Sequence, residues 1–464
     1  DDWVGNSGTW NTQSESQGEA VKVRIQSTIS NSFADSATFQ LLGEQDNSFY
    51  IEYRHNGQPT FFNDVITLND GNILASGRYG SQSDRHALLV KFDVNDGSVI
   101  ATEALSSQSE FRGMTLGHNG EVLVTGYNIG SNTEVVLGAY NHDLSQIALV
   151  SHANPGGESR GAYSIDTYTY NGVDYILTAG EFQPGDGNTF PGLFMFDANY
   201  NYLTTWYYND AEGKFLTVNV YNGTDVWLVG SDQDIDGTSQ YGKNAAELSI
   251  FDNMDTSNVN VVRNRAAWGD KTTVNIEGTI PAVLSVDGNP EGDFYYAGGQ
   301  YYDTNGVSGP TTDYRWQYYD FVLDSENGNE AVFVGNMYGC DANGDGILNN
   351  ADGICAEIAI VRNNTTFKLK SAYISQSTSK SEASWAKFNA IDKIDSGYVV
   401  AGSNLITTFS TNYTGTKGLI AVVDLDGELR TVDDTSLLGK NIGINNISNV
   451  QTTTVIKSNK VFPR

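Results

Sequence analysis

The stretch Asn69-Asp-Gly-Asn-Ile-Leu-Ala-Ser-Gly77 is an Asn/Asp-Gly turn running into an apolar β-segment that ends on glycine. The phrase returns as Asn119-Gly-Glu-Val-Leu-Val-Thr-Gly126, Asn171-Gly-Val-Asp-Tyr-Ile-Leu-Thr-Ala-Gly180 and Asn222-Gly-Thr-Asp-Val-Trp-Leu-Val-Gly230. Shorter copies stand at Asp293-Phe-Tyr-Tyr-Ala-Gly298 and Ser396-Gly-Tyr-Val-Val-Ala-Gly402. The first four closing glycines are 49, 54 and 50 residues apart. A second phrase follows each first one, an apolar strand entering an Asp- or Asn-rich turn. Examples are Ala87-Leu-Leu-Val-Lys-Phe-Asp93, Gly192-Leu-Phe-Met-Phe-Asp197 and Gly418-Leu-Ile-Ala-Val-Val-Asp424.

Each period therefore holds about four short strands joined by hairpins, the pattern of a propeller blade. Solenoid repeats are shorter, and sandwiches need more strands per unit. The expected fold is an all-β β-propeller of four-stranded antiparallel blades. Seven blades are expected and eight are the alternative, because insertions between Gly299 and Lys387 blur the count. Residues 48–61 read as the second half of a blade, and Ile447 to Ile456 as a first half. Their pairing would close the ring and remove an open sheet edge. Residues 1–45 lack the pattern and form an extension or cap. The propeller occupies 46–464, with an insertion at 340–355.

Composition narrows the function. Against 26 Lys and Arg stand 56 Asp and Glu, a net charge of −30. Such a chain repels nucleic acid and anionic membranes unless its few basic residues are clustered. It contains no run of about 18 apolar residues that could cross a bilayer as a helix. The chain opens at Asp1 rather than Met, which reads as a mature protein freed of a leader and so as extracellular, secreted or on the cell surface.

The alternation of the two phrases resembles the bacterial secreted β-propeller repeat families, over roughly residues 45–460. The resemblance implies a fold and a surface location, and it brings no shared catalytic residues. Sialidase, WD-type and quinone-binding propeller motifs are absent from the sequence.

The strongest chemical motif is Asp341-Ala-Asn343-Gly-Asp345-Gly-Ile347-Leu-Asn349-Asn-Ala-Asp352. Oxygen side chains on alternate residues, a glycine turn and a closing carboxylate are what Ca2+ requires, with Ile347 offering its carbonyl. The loop resembles those of dockerins and thrombospondin type 3 repeats. Cys340 and Cys355 flank it. A disulfide there would close about 15 residues and add about 3 kcal/mol, against the alternative of two buried thiols.

Four basic residues fall just before the expected channel-lining strands: Arg112, Arg160, Lys214 and Lys387. They could form a cationic ring for a carboxylate or sulfate, or each could pair with an acid of a neighbouring blade. The aromatic insertion 300–319 offers Tyr314 and Trp316, which suit sugar stacking, a protein interface or the cover of a blade edge. The expected function is non-catalytic binding, adhesion or structural assembly, with a carbohydrate or protein ligand and self-assembly as possible partners. The alternative is a lyase acting on a uronate-containing polysaccharide, with His or Tyr as base and Arg on the uronate.

Overall fold

The computed structural model describes residues 49–207 apart from 82, 130–132, 153–157 and 185–188, then strands and adjoining residues as far as 425, and four short strands before residue 48. The chain divides into two compact units, Asp1–Asn47 and Ser48–Arg464. In the first, β1 (Ala20–Val21) pairs with β4 (Phe39–Gln40) and β2 (Arg24–Gln26) with β3 (Phe33–Asp35).

The second unit holds β5 (Phe49–Tyr53), β6 (Thr60–Thr67), β7 (Ile73–Ser81), β8 (Asp84–Phe92), β9 (Val99–Leu116), β10 (Val122–Ile129), β11 (Thr133–Tyr140) and β12 (Gln146–His152). Next come β13 (Glu158–Tyr170), β14 (Val173–Gln183), β15 (Phe190–Asp197), β16 (Tyr202–Tyr207), β17 (Gly213–Tyr221), β18 (Asp225–Asp232), β19 (Asn244–Ile250) and β20 (Val259–Val262). The last are β21 (Val286–Gly288), β22 (Phe294–Ala297), β23 (Gln300–Asp303), β24 (Trp316–Asp324), β25 (Glu330–Tyr338), β26 (Ile354–Arg362), β27 (Thr366–Lys370), β28 (Ala383–Ile394), β29 (Gly397–Thr407) and β30 (Lys417–Asp424). A 3-10 turn at His55–Gly57 is the one helical element among the described residues. No helix there is long and apolar enough to cross a membrane.

Nearly all pairing is antiparallel between consecutive strands, as hairpin connections dictate. Strand β9 is 18 residues long. Its first part, Val99 to Gln108, pairs with β8, and its second, Ser109 to Leu116, pairs with β10, so it is the last strand of one four-strand group and the first of the next. First strands meet in chain order: β6 lies against β9, then β9 against β13, β13 against β17, β17 against β21, β21 against β24, and β24 against β28. Strand β28 returns to β6, which closes the circle of an up-and-down β-propeller.

Closure comes from the N-terminal side, where Phe49 to Tyr53 pairs with Val422 to Gly418. This corrects the expected partner. The strand that receives β5 is Lys417–Asp424, residues 447–456 lie outside the described residues, and Thr60 already begins the next strand. The core lies between adjacent sheets: Phe62, Leu88, Val90 and Phe92 pack on Val399, Ala401 and Ile420. Each such fully buried side chain contributes roughly 1.5–3 kcal/mol.

The recurring glycine has a steric cause. In the first strand of each of six sheets the pairing register skips a residue, at Asn63, Arg112, Tyr163, Leu216, Tyr319 and Asn389, and β13 skips Arg160 as well. This β-bulge turns the preceding carbonyl toward the second strand. A Cβ on Gly126 would lie 1.9 Å from the Glu110 carbonyl oxygen, and one on Gly402 1.9 Å from that of Lys387. Only glycine fits there.

Neighbouring first strands share no backbone ladder, and aspartates bridge them. Asp64 accepts from the Met114 N–H at 2.5 Å, Asp166 from Val220 at 2.6 Å and Asp392 from Thr67 at 2.6 Å, each donor on the next sheet's first strand. Asp320 accepts from Ile391 at 3.0 Å in the same way. Burial raises the carboxyls of Asp64 and Asp392 above the ordinary range and pushes Asp166 up to about 6.

Two outcomes follow for stability. Gly126→Ala forces carbonyl and Cβ apart and is expected to cost about 1–3 kcal/mol. Gly71, whose Cβ would meet nothing within 4 Å, provides the control. Gly71→Ala is expected to cost only the strain of its φ of +80°, so urea melts should rank Gly126→Ala as the more damaging. The native state binds the Asp166 proton more tightly than the unfolded chain does. The stability of the wild type relative to Asp166→Asn should therefore grow as pH falls from about 6 towards 4, and decline as pH rises through about 6. Paired thermal melts across that window check the sign.

Candidate functional site

The first strands begin at one end of the ring, and there Arg112 sits between Tyr127 of its own sheet and Tyr163 of the next. Its guanidinium carbon lies 4.6 Å from the Tyr127 ring centre and 4.4 Å from that of Tyr163. Glu110, two residues earlier, is only 8% exposed and is the hub of the cluster. Its carboxylate lies 3.3 Å from Arg78 Nε, 3.6 Å from Arg85 Nη1 and 3.5 Å from Arg112 Nε. It also accepts from the Tyr127 hydroxyl at 2.7 Å and the Asn63 amide at 2.9 Å. Burial opposes the charge on Glu110, but Arg112, Arg78 and the Tyr127 hydrogen bond outweigh it and hold its pKa low.

On the adjoining sheets Tyr163 donates a short hydrogen bond to Glu181. Lys214 Nζ lies 3.5 Å from Glu181 and 5.1 Å from the Tyr163 ring centre. Burial lowers the Lys387 pKa, with Arg78 and Arg112 adding to the effect and Glu110 opposing it. Lys387 thus shares the field of the same cluster.

Five cations face two carboxylates: Arg78, Arg85, Arg112, Lys214 and Lys387 against Glu110 and Glu181. Among the described residues the cluster therefore carries more positive than negative charge, in a chain whose net charge is −30. Arg85, Arg112 and Lys214 keep 24–25% of their side-chain surface open to solvent. Arg78 Nη1 and Arg85 Nε are buried without a hydrogen-bond partner, a state that charged donors rarely keep. Burial raises both tyrosines, Tyr127 to about 12 and Tyr163 also upward, so at neutral pH both are protonated donors.

Three of the four expected basic residues therefore come together, though their positions are not equivalent. Lys214 and Lys387 precede the bulge by two residues, and Glu110 fills that place in the second group, opposite Tyr127. Arg112 is the bulge residue itself, inside the strand. Each base also has an acidic neighbour. Arg112 uses Glu110 of its own strand, and Lys214 uses Glu181 of the preceding sheet. Arg160 lies on β13, Trp316 opens β24 and Cys355 lies on β26, but their side chains are outside the described residues. So are Tyr314, Cys340 and the whole Asp341, Asn343, Asp345, Ile347, Asn349, Asp352 loop.

Sequence reading missed Arg78, Arg85, Glu110, Tyr127 and Tyr163. A signal was there: the residue after each recurring glycine, Arg78, Tyr127 or Glu181, faces this same end of the ring.

No family model matches the chain, and no curated protein does. Among solved structures it is similar to an α-L-arabinanase of Penicillium chrysogenum complexed with arabinobiose, at 12% identity over 82% of this chain and 98% of that one, TM-score 0.45. It is also similar to an α-L-arabinofuranosidase of Fusarium graminearum with an iminosugar inhibitor, at 13% identity over 82% and 99%, TM-score 0.43. The Dos1 propeller matches at 10% identity over 88% and 93%, TM-score 0.42. Likeness of this degree carries neither substrate nor activity across.

Glu110→Gln removes the one carboxylate that three guanidiniums share. The variant is expected to lose about 3 kcal/mol, with part of the loss restored by added sulfate. A denaturant melt with and without sulfate measures both effects.

Proposed function

We propose that this chain is a secreted seven-bladed β-propeller that binds an anionic carbohydrate at its cationic mouth without transforming it. The seven-blade reading is supported by the cyclic order of β6, β9, β13, β17, β21, β24 and β28. The ligand reading rests on one observation, the excess positive charge at the mouth. In a chain this acidic, clustered guanidiniums that keep part of their surface open, beside buried N–H groups without a partner, suit an anion, and Arg recognises carboxylate or sulfate through paired hydrogen bonds.

A lyase at the same place would need a base that ionises near neutral pH. Tyr127 and Tyr163, the hydroxyls beside the arginines, are held protonated by burial, which favours binding over elimination. Ca2+ on the 341–352 loop, with the flanking cysteines joined, completes the proposal on the oxygen spacing of the sequence. Extracellular calcium would fill such a site as a permanent staple.

Calorimetric titration with de-esterified oligogalacturonate and with its methyl ester separates the readings. The acid form is expected to bind, the ester is not, and Arg85→Gln or Arg112→Gln should weaken binding by about tenfold or more, the loss of a charge-assisted hydrogen bond. Binding of neither form, or of both equally, would overturn the proposal. Accumulation of unsaturated uronate during the titration would make the protein a lyase.

A further inference from the structure

First strands that begin at the cationic mouth end at the opposite rim, and there the repeat turns build a second site of different chemistry. A groove of about 460 Å³ is lined by Asn69, Asn119, Glu121, His142, Ile147 and Tyr200, with Asn141 at its edge. These residues come from the β6–β7, β9–β10, β11–β12 and β15–β16 turns, with Ile147 from the start of β12, so three successive sheets contribute. We propose that this groove binds a neutral oligosaccharide.

The hydrogen-bonding inventory supports that ligand class. Glu121 accepts from the Asn119 backbone N–H at 2.9 Å and from the Tyr200 hydroxyl at 3.4 Å, which fixes the carboxylate in the wall. His142 Nε2 is 2.8 Å from the Gly120 carbonyl and so carries the proton, leaving Nδ1 as an acceptor. Lys91, the nearest ammonium, donates to Asp70 and to the His142 carbonyl rather than into the groove. The side-chain amides of Asn69 and Asn119 have no protein partner among the described residues, and each offers both donors and an acceptor. Sugar hydroxyls need that pairing of donor and acceptor. An anion would meet Glu121 with no cation in the lining. A metal ion would find a single carboxylate, already engaged twice.

Apolar contact is provided as well. Ile147 is 46% exposed at the groove. Tyr200 stands at φ +65°, a left-handed conformation that costs a tyrosine free energy. At the matching turn of the preceding sheet Leu144 adopts φ +66° and is buried in the core, which accounts for its strain. Tyr200 is half-buried: it packs against the core cluster that holds Leu123, Phe194 and Phe196, and its hydroxyl donates to Glu121 in the groove wall. The part of the ring left open to the groove can meet the C–H face of a sugar.

Titration of the full chain with cellotetraose, xylotetraose and mannotetraose tests the site, with thermal melts run in parallel. At least one tetraose is expected to bind, and Asn119→Ala and Tyr200→Gly should each weaken it by about tenfold; Asn119→Ala should leave the melting temperature unchanged, whereas Tyr200→Gly also gives up ring packing on the core. Arg85→Gln, at the far end of the strands, is expected to leave tetraose affinity unchanged. Failure of all three sugars to bind would overturn the inference. So would retained affinity in both groove variants, or loss of affinity in Arg85→Gln. Because the two sites are probed by different ligands, failure here leaves the anion reading at the mouth standing, and the reverse also holds.

Discussion

A carbonyl that meets a glycine organises this propeller. Opposite the bulges of four sheets, at Gly77, Gly126, Gly180 and Gly402, a first-strand carbonyl swings toward the second strand and the hairpin survives only because no side chain is there. The constraint recurs because each sheet is the same device repeated about 50 residues further on. It also has a chemical product. A skipped residue is free of the ladder's alternation and points along the rim instead of into core or solvent. Where it is Asn63 or Asn389 it hydrogen-bonds a neighbouring strand. Where it is Arg112 it becomes a charge at the ring's mouth.

The aspartates solve the complementary problem of joining sheets that share no ladder. A carboxylate with two acceptor oxygens can take an N–H from its own strand and another from the next, as Asp166 does with Thr167 and Val220. Burial makes this costly for the ionised form, which is why Asp166 titrates near 6. The ring is thus closed by apolar packing between sheet faces and by polar bridges at its inner edge. A single hydrogen bond of this kind contributes about 1 kcal/mol, more when the acceptor is charged.

The frame was legible because turn-strand-glycine phrases are local and repeated: hairpins, sheet order and N-terminal closure all follow from period and pattern. The site was only half legible. Arg112, Lys214 and Lys387 stood out as rare bases at similar offsets, yet the offsets differ by two residues. A bulge inserts one residue into one strand without any mark in the hydrophobic pattern. Glu110 and Arg78 were invisible because their partnership crosses three strands and 32 positions of sequence. Closure at 417–424 rather than 447–456 was missed for a similar reason, since both segments carry β-forming residues and only pairing decides between them.

Charge distribution limits what the mouth can admit. With a net charge of −30 the surface repels any polyanion at a distance, but screening confines that repulsion to about 8 Å at physiological salt. The half-buried guanidiniums are screened far less. Attraction is therefore a contact effect, felt only by a group that enters the ring's mouth. A nucleic acid, with a phosphate at every step, would keep most of its charges against a chain of net charge −30. A carbohydrate with widely spaced carboxylates or sulfates can place one anion among Arg78, Arg85 and Arg112 while its neutral stretches cross the surface without cost. On the proposed reading, the same acidity that disfavours nucleic acid would favour a sparsely charged polymer.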